Sequence, residues 1–172
     1  MIFITLGTTP FSFDRILKQI DAYMCANNRT EEIVLQCTTS THQWQHSPIK
    51  IVQSLSSREM IQRFRTASHI VTHGGFGTIY SVAQYSPIMP LIISRTSHHH
   101  EHVDDHQRYF VQYCKTLVPH KYHRYFISSQ SVDKSLSEYL SSTPHQNICN
   151  QYLFHGDSKK VCKTIEEFIH QT

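Results

Sequence analysis

Runs of four or five apolar residues alternate with segments of helical periodicity along this chain. That alternation limits the fold more than any other feature. Residues 2–6, 33–37, 49–52, 69–72 and 90–94 read as strands. Phe13, Ile16, Leu17, Ile20, Tyr23 and Met24 share a helical face that stops at Asn27-Asn28. Ser56 and Glu59 fit a capping box ahead of Met60, Ile61, Phe64 and Ala67. A helix is expected from the glycine segment after His73 to about Gln84. Asp104-Asp105 are expected to open another, running to about Lys115, because acidic side chains favour the positive end of a helix. A short strand near 125–127 and two C-terminal helices complete the pattern. The last helix carries Val161, Ile165, Phe168 and Ile169 on one stripe. Strands this short and continuously apolar are buried on both faces. The expected fold is therefore α/β: a single Rossmann-like domain with a parallel sheet flanked by helices.

At 172 residues and 20.1 kDa the chain is one domain, residues 1–172 with a C-terminal helical extension. A domain of this size buries roughly two thirds of its unfolded surface and needs no staples. The stretch 38–48 reads as a polar turn region and 95–102 as a polar, histidine-rich loop. Sixteen Lys plus Arg against thirteen Asp plus Glu leave +3, too little to argue for a nucleic-acid partner, and none is expected. No apolar run reaches the ~20 residues of a membrane span. The first six residues lack a basic leader and read as a strand, not a signal peptide. Five widely spaced Cys without a C-x-x-C pair suit a reduced, cytoplasmic protein.

The chain has only five Gly, and Gly7, Gly74, Gly75 and Gly77 fall at two strand-to-helix turns. Glycine lets backbone amides come close to a ligand. A helix beginning there points free N–H groups and its positive end into the crevice at the carboxyl ends of the strands. The inference is a phosphate-bearing ligand, a nucleotide; the alternative is that the glycines only permit tight turns. No G-x-G-x-x-G is present, no acidic residue ends the second strand, and no G-K-[ST] follows, so the turns form neither a dinucleotide fingerprint nor a P-loop.

Three segments carry a family resemblance. The start, from Met1 through Gly7-Thr8 to Pro10 and Phe13-Asp14-Arg15, resembles the small soluble subunit of two-component GT-B glycosyltransferases. His73-Gly74-Gly75-Phe76-Gly77-Thr78 is similar to that family's H-[AG]-G-x-G-[ST] donor loop. Arg95 with Glu101-His102-Val103-Asp104-Asp105-His106-Gln107 is similar to its R-x5-EHVDDHQ segment. The resemblance covers about residues 1 to 115. It extends to PssE-type subunits of exopolysaccharide and capsule synthesis and to the C-terminal domain of glycosyltransferase family 28.

The resemblance implies the donor-binding, C-terminal half of a GT-B fold and transfer of a hexose from a UDP-sugar. The acceptor, a lipid-linked glycan, would be presented by a membrane-anchored partner subunit. The chain would thus work peripherally at the cytoplasmic membrane face, in polysaccharide biosynthesis. Carried over onto this sequence, the donor contacts are Gly7, Thr8, His73, Gly74, Gly75, Gly77, Thr78, Ser81, His106 and Gln107. Backbone N–H groups of 75–78 and the Thr78 hydroxyl would stabilise the leaving diphosphate. A Cβ at Gly75 is expected to block its approach. His106 and Gln107 would reach the sugar hydroxyls. His73 is the one catalytic candidate, placed to donate to the diphosphate; the alternative is a capped core histidine. The catalytic base is expected on the partner. Glu101 and His102 read as loop surface, and Asp104-Asp105 as helix caps.

No metal or other cofactor is expected, the UDP-sugar being a substrate. His98-His99-His100 cannot readily converge on one ion. His102 and His106 have i, i+4 spacing, but the helix is expected to start between them. The family usually has Glu where Ser81 stands, accepting from the ribose hydroxyls; Ser can make one such bond without charge. A non-catalytic binding or regulatory subunit on the same fold is therefore the second reading. An epimerase or hydrolase would need both GT-B domains in one chain, and the length argues against it.

Overall fold

The computed structural model describes residues 1–46, 48–128 and 132–154. In chain order the elements are β1 (Ile2–Thr5), α1 (Asp14–Ala26), β2 (Ile33–Gln36), β3 (Ile49–Val52), α2 (Ser57–Thr66), β4 (His69–His73), α3 (Phe76–Tyr85), β5 (Leu91–Ile93), α4 (His106–Leu117), β6 (Phe126–Ile127), α5 (Asp133–Ser141) and α6 (Cys149–Leu153). The strands form one sheet of six in the order β3-β2-β1-β4-β5-β6, and every pairing is parallel. The order reverses between β1 and β4. Beyond the carboxyl ends of those two strands lies the crevice that open α/β sheets use for ligands.

The continuous apolar runs are explained by two covered faces. Along each strand alternate side chains point to opposite sides. Ile2, Ile4, Ile33, Leu35 and Val71 share a cluster with Ile16, Leu17, Ile20 and Met24 of α1, Val111 and Cys114 of α4, and Leu136 and Tyr139 of α5. Phe3, Val34 and Ile70 pack on the other side with Phe64, Ala67 and Val82. Phe3 pairs in register with Val34 and with Ile70, and its ring meets Phe64 with centroids 5.6 Å apart. β3 and β6 are the edge strands, and Ile51 on β3 is 53% exposed.

Local signals match the element ends. The Ser56–Glu59 capping box is formed in both directions. Asn28 takes a left-handed conformation, φ 48°, just past α1. The 38–46 region has no regular structure, yet it is pinned: Asp14 accepts from Ser40 and Thr41, and buried Asp21 accepts from His42 and from the backbone N–H of Gln45 and His46. Two expectations need correction, and one cannot be compared. α4 begins at His106, not at Asp104, and runs on to Leu117. The 95–102 loop is not simply polar surface, since Arg95 and Glu101 are each 2% exposed. The stripe Val161, Ile165, Phe168 and Ile169 lies outside the described residues. No helix among those described is long and apolar enough to cross a membrane.

The two-faced sheet makes a direct prediction. Phe3→Ala removes a fully buried ring from the smaller cluster, and urea unfolding should show a loss of about 3–5 kcal/mol. Ile51→Ala on the exposed edge should stay within about 0.5 kcal/mol. Equal losses at the two positions would contradict the layering.

Candidate functional site

The loops at the carboxyl ends of β1 and β5 are held by buried charge. The Arg95 guanidinium donates to the carbonyls of Leu6 (2.9 Å), Phe11 (2.9 Å), Ser12 (3.2 Å) and Glu101 (3.1 Å). It also stacks over the Phe13 ring, 4.6 Å from its centroid. Burial pushes its pKa down to about 10, so it stays charged at neutral pH. Glu101 accepts a two-pronged bond from Arg15 at 2.9 and 3.0 Å and another from the Thr96 N–H. Glu101 is therefore a buried strut, not loop surface. A buried ion pair is tolerated only when its remaining donors and acceptors are matched. Here the matching groups are the carbonyls of the β1–α1 loop, so this loop is fixed against the β5–α4 loop.

Those fixed loops frame an open cleft of about 340 Å³ at the switch point, lined by Gly7, Thr8, Met60, Phe64, His73, Gly75, Gly77, Thr78 and Ser81. That is the size range of small-molecule sites. Seven of the residues singled out in the sequence thus come together. Gly74, His106 and Gln107 do not line the cleft. Gln107 is buried under the glycine loop and accepts from the Arg95 N–H at 3.4 Å; His106 is exposed at the start of α4. The sequence reading missed Met60 and Phe64, whose apolar helical spacing marks them only as core, and Gln36, which donates to the Gly7 carbonyl at 3.2 Å.

The glycines have separate duties. Gly7 sits at φ +74°, a conformation that side chains resist, and a Cβ there would lie 2.8 Å from His73 Cε1. A Cβ at Gly75 would meet His73 Nε2 at 2.3 Å. The two turns therefore clasp the His73 ring between them. A Gly75 side chain would therefore press on this ring as well as on the cleft that Gly75 lines. A Cβ at Gly74 would strike Val111 Cγ2 at 2.8 Å, so this glycine seats α3 against α4. At Gly77 a Cβ would meet nothing within 4 Å. No packing requirement accounts for Gly77, which lies in the first turn of α3 and faces the cleft.

α3 starts at the cleft without a capping side chain: Gly75 is its N-cap and makes no side-chain cap bond. Its first N–H groups are thus open to a ligand, with the positive end of the helix behind them. Among the described residues no carboxylate lines the cleft. Ser81 is at the wall, its hydroxyl donating to the Gly77 carbonyl at 2.9 Å. His73 Nδ1 is 3.4 Å from the Thr5 carbonyl. Burial, followed by the Arg95 charge, pushes the His73 ring down to about 4. It is neutral at pH 7. With its Nδ1–H aimed at Thr5, Nε2 is left as an acceptor.

Asp105 holds the N-cap position of α4 without a side-chain cap bond, while Asp104, one residue earlier, accepts from the His106 N–H at 3.2 Å. Asp105, expected as a second cap, instead accepts from the Ser97 N–H and hydroxyl. The helix does begin between His102 and His106, yet the turn brings ligand atoms of His102, Asp104 and His106 within 4.8 Å of one another.

The His73 environment sets an acid-stability prediction. The ring titrates near 6.5 when unfolded and about 4 when folded. Between those values the unfolded chain binds more protons, so stability is full above 6.5 and falls as pH drops toward 4. Burial lowers His69 as well, adding in the same direction. Urea midpoints recorded across this window should fall less steeply for His73→Asn than for the parent protein. Identical slopes would contradict a buried neutral ring.

No curated protein matches the chain significantly. Residues 1–151 match the glycosyltransferase family 28 C-terminal domain. With six parallel strands in a 3-2-1-4-5-6 order and a glycine-lined crevice at the switch point, the chain belongs to that family and is a GT-B glycosyltransferase-like domain.

Proposed function

We propose that the switch-point cleft binds the diphosphate of a UDP-sugar and that the chain is the donor half of a two-subunit hexosyltransferase. The observation that carries this reading is Gly77, the cleft-facing glycine without a packing duty, beside the uncapped start of α3. A diphosphate oxygen set against the N–H groups of 76–78 and the Thr78 hydroxyl would receive hydrogen bonds and the helix-end potential together. The charge that builds on the leaving diphosphate would be stabilised by the same groups. A carboxylate-free lining supports binding without a bridging divalent ion, because Mg²⁺ is held through oxygen ligands, carboxylates foremost. His73, as an acceptor, would take a hydrogen bond from a ligand hydroxyl and would orient the loop by its bulk. The uridine is what the family resemblance implies. Gln107 and His106, next to the glycine loop on α4, would meet the sugar.

The acceptor side needs a second polypeptide, membrane-anchored and presenting a lipid-linked glycan. Half-exposed Phe76 and Tyr80 stack with centroids 6.2 Å apart on the side of α3 that meets Phe154, an apolar surface suited to such a partner. A non-catalytic binding subunit is the second reading. It is favoured by Ser81, whose hydroxyl is turned onto its own helix where a carboxylate would hold the ribose.

Gly77→Val is the cleanest probe, since it adds bulk where the fold has room. The variant should melt at or slightly above the parent temperature, because glycine is a poor helix residue. Its affinity for UDP should fall at least tenfold by calorimetry. The parent should bind UDP equally well in excess chelator. Normal UDP binding by a folded Gly77→Val protein would remove the cleft from the donor site, and binding lost on chelation would end the ion-free mechanism. The isolated chain should show little transfer to lipid-linked acceptors until the partner is added; robust turnover alone would overturn the two-subunit reading.

A further inference from the structure

The turn that leads into α4 carries a side-chain cluster outside the cleft assigned to the diphosphate. His102, Asp104 and His106 stand at alternate positions, and each offers one ligand atom within 4.8 Å of the others. Asp104 Oδ1 lies 3.4 Å from His102 Nδ1 and is in hydrogen-bond contact with His106 Nδ1. The two imidazoles meet edge to face with centroids 4.4 Å apart. Zinc holds nitrogen and oxygen ligands at about 2.0–2.2 Å, so neighbouring ligand atoms of one tetrahedron are roughly 3.3–3.5 Å apart. The His102–Asp104 pair already has this spacing. The Asp104–His106 pair opens to it when an ion takes the place of the shared proton.

A second observation points to a missing partner. His102 Nδ1 is buried and has no hydrogen bond. Its ring is held against Phe11, with centroids 5.8 Å apart. A buried polar atom left unpaired costs about 1–3 kcal/mol, and in native proteins such an atom marks a functional group, an ordered water or an ion. The acidic neighbours are committed elsewhere, Glu101 to Arg15 and Asp105 to Ser97. Asp104 and His106 are exposed, so an ion could enter from solvent and keep water on its remaining positions.

We propose that His102, Asp104 and His106 form a three-ligand site for a divalent transition-metal ion, with zinc the closest match. Two imidazoles and one carboxylate suit zinc and its neighbours rather than Mg²⁺ or Ca²⁺, which select oxygen. The bound ion braces the β5–α4 turn against Phe11 of the β1–α1 loop. None of the three residues lines the cleft, so the proposal stands apart from ion-free diphosphate binding.

The test is zinc competition against a chromophoric chelator, using the full chain at pH 7.5, together with cobalt(II) absorption. The parent should bind one tight equivalent and show visible cobalt bands without thiolate charge transfer. His102→Ala, His106→Ala and Asp104→Asn should each weaken zinc at least tenfold, whereas His98→Ala should change nothing. Zinc should raise the melting temperature of the parent but not of His106→Ala, whose exposed position spares the fold. The proposal is overturned if His102→Ala/His106→Ala binds zinc as tightly as the parent, if His98→Ala loses it equally, or if the parent binds no zinc at micromolar concentration.

Discussion

The buried guanidinium of Arg95 organises this molecule's ligand-binding end. It draws carbonyls of Leu6, Phe11 and Ser12 from one loop and of Glu101 from another onto a single charged plane. Only a planar, multi-donor cation can do this; a lysine at the same place could not span the fork. Because an uncompensated buried charge is worth several kcal/mol, the two loops have one low-energy arrangement. Glu101 and Arg15 extend the arrangement to α1. The β1–α1 loop that carries Gly7 and Thr8 is thereby fixed against the β5–α4 loop, and Gly7 in turn rests on the His73 ring at the β4 end.

Within that frame, His73 explains two of the cleft glycines. Its ring fills the space that side chains at Gly7 and Gly75 would need, and Gly74 lets α3 approach α4. These duties are internal and would exist without any ligand. Gly77 differs, since nothing among the described residues occupies the volume beside it. The case for a ligand therefore narrows from four glycines to one glycine, one uncapped helix start and one carboxylate-free cleft. An anion is the chemistry that those three features share.

The fold was legible because parallel strands covered on both faces write themselves as plain apolar runs, and α1 and α2 as 3.6-residue stripes. The capping box of α2 needed only its own four residues. What the sequence hid is tertiary. Arg95 and Glu101 occur among Ser, Thr and His, and nothing local distinguishes a buried charge from a solvated one. Asp14 and Asp21 looked like ordinary helix polar positions, yet they hold the 38–46 loop. Met60 and Phe64 carried the right apolar spacing but not the information that their face ends at a cleft. Nothing local to Gly75 shows that a side chain there would also strike the His73 ring. His102 and His106 were discounted as ligands because a helix start separates them; the turn's curvature, not its sequence spacing, brings them onto Asp104.

The central claim is that the start of α3, with Gly77 open beside it, receives a nucleotide diphosphate. Amide chemical shifts of ¹⁵N-labelled protein titrated with UDP in chelator test it most directly, because they report on the very N–H groups assigned to the anion. The account predicts the largest saturable shifts at Phe76, Gly77 and Thr78, with Gly7 and Thr8 next. Shifts confined to another surface, or no saturable change at these amides while UDP binds, would contradict it.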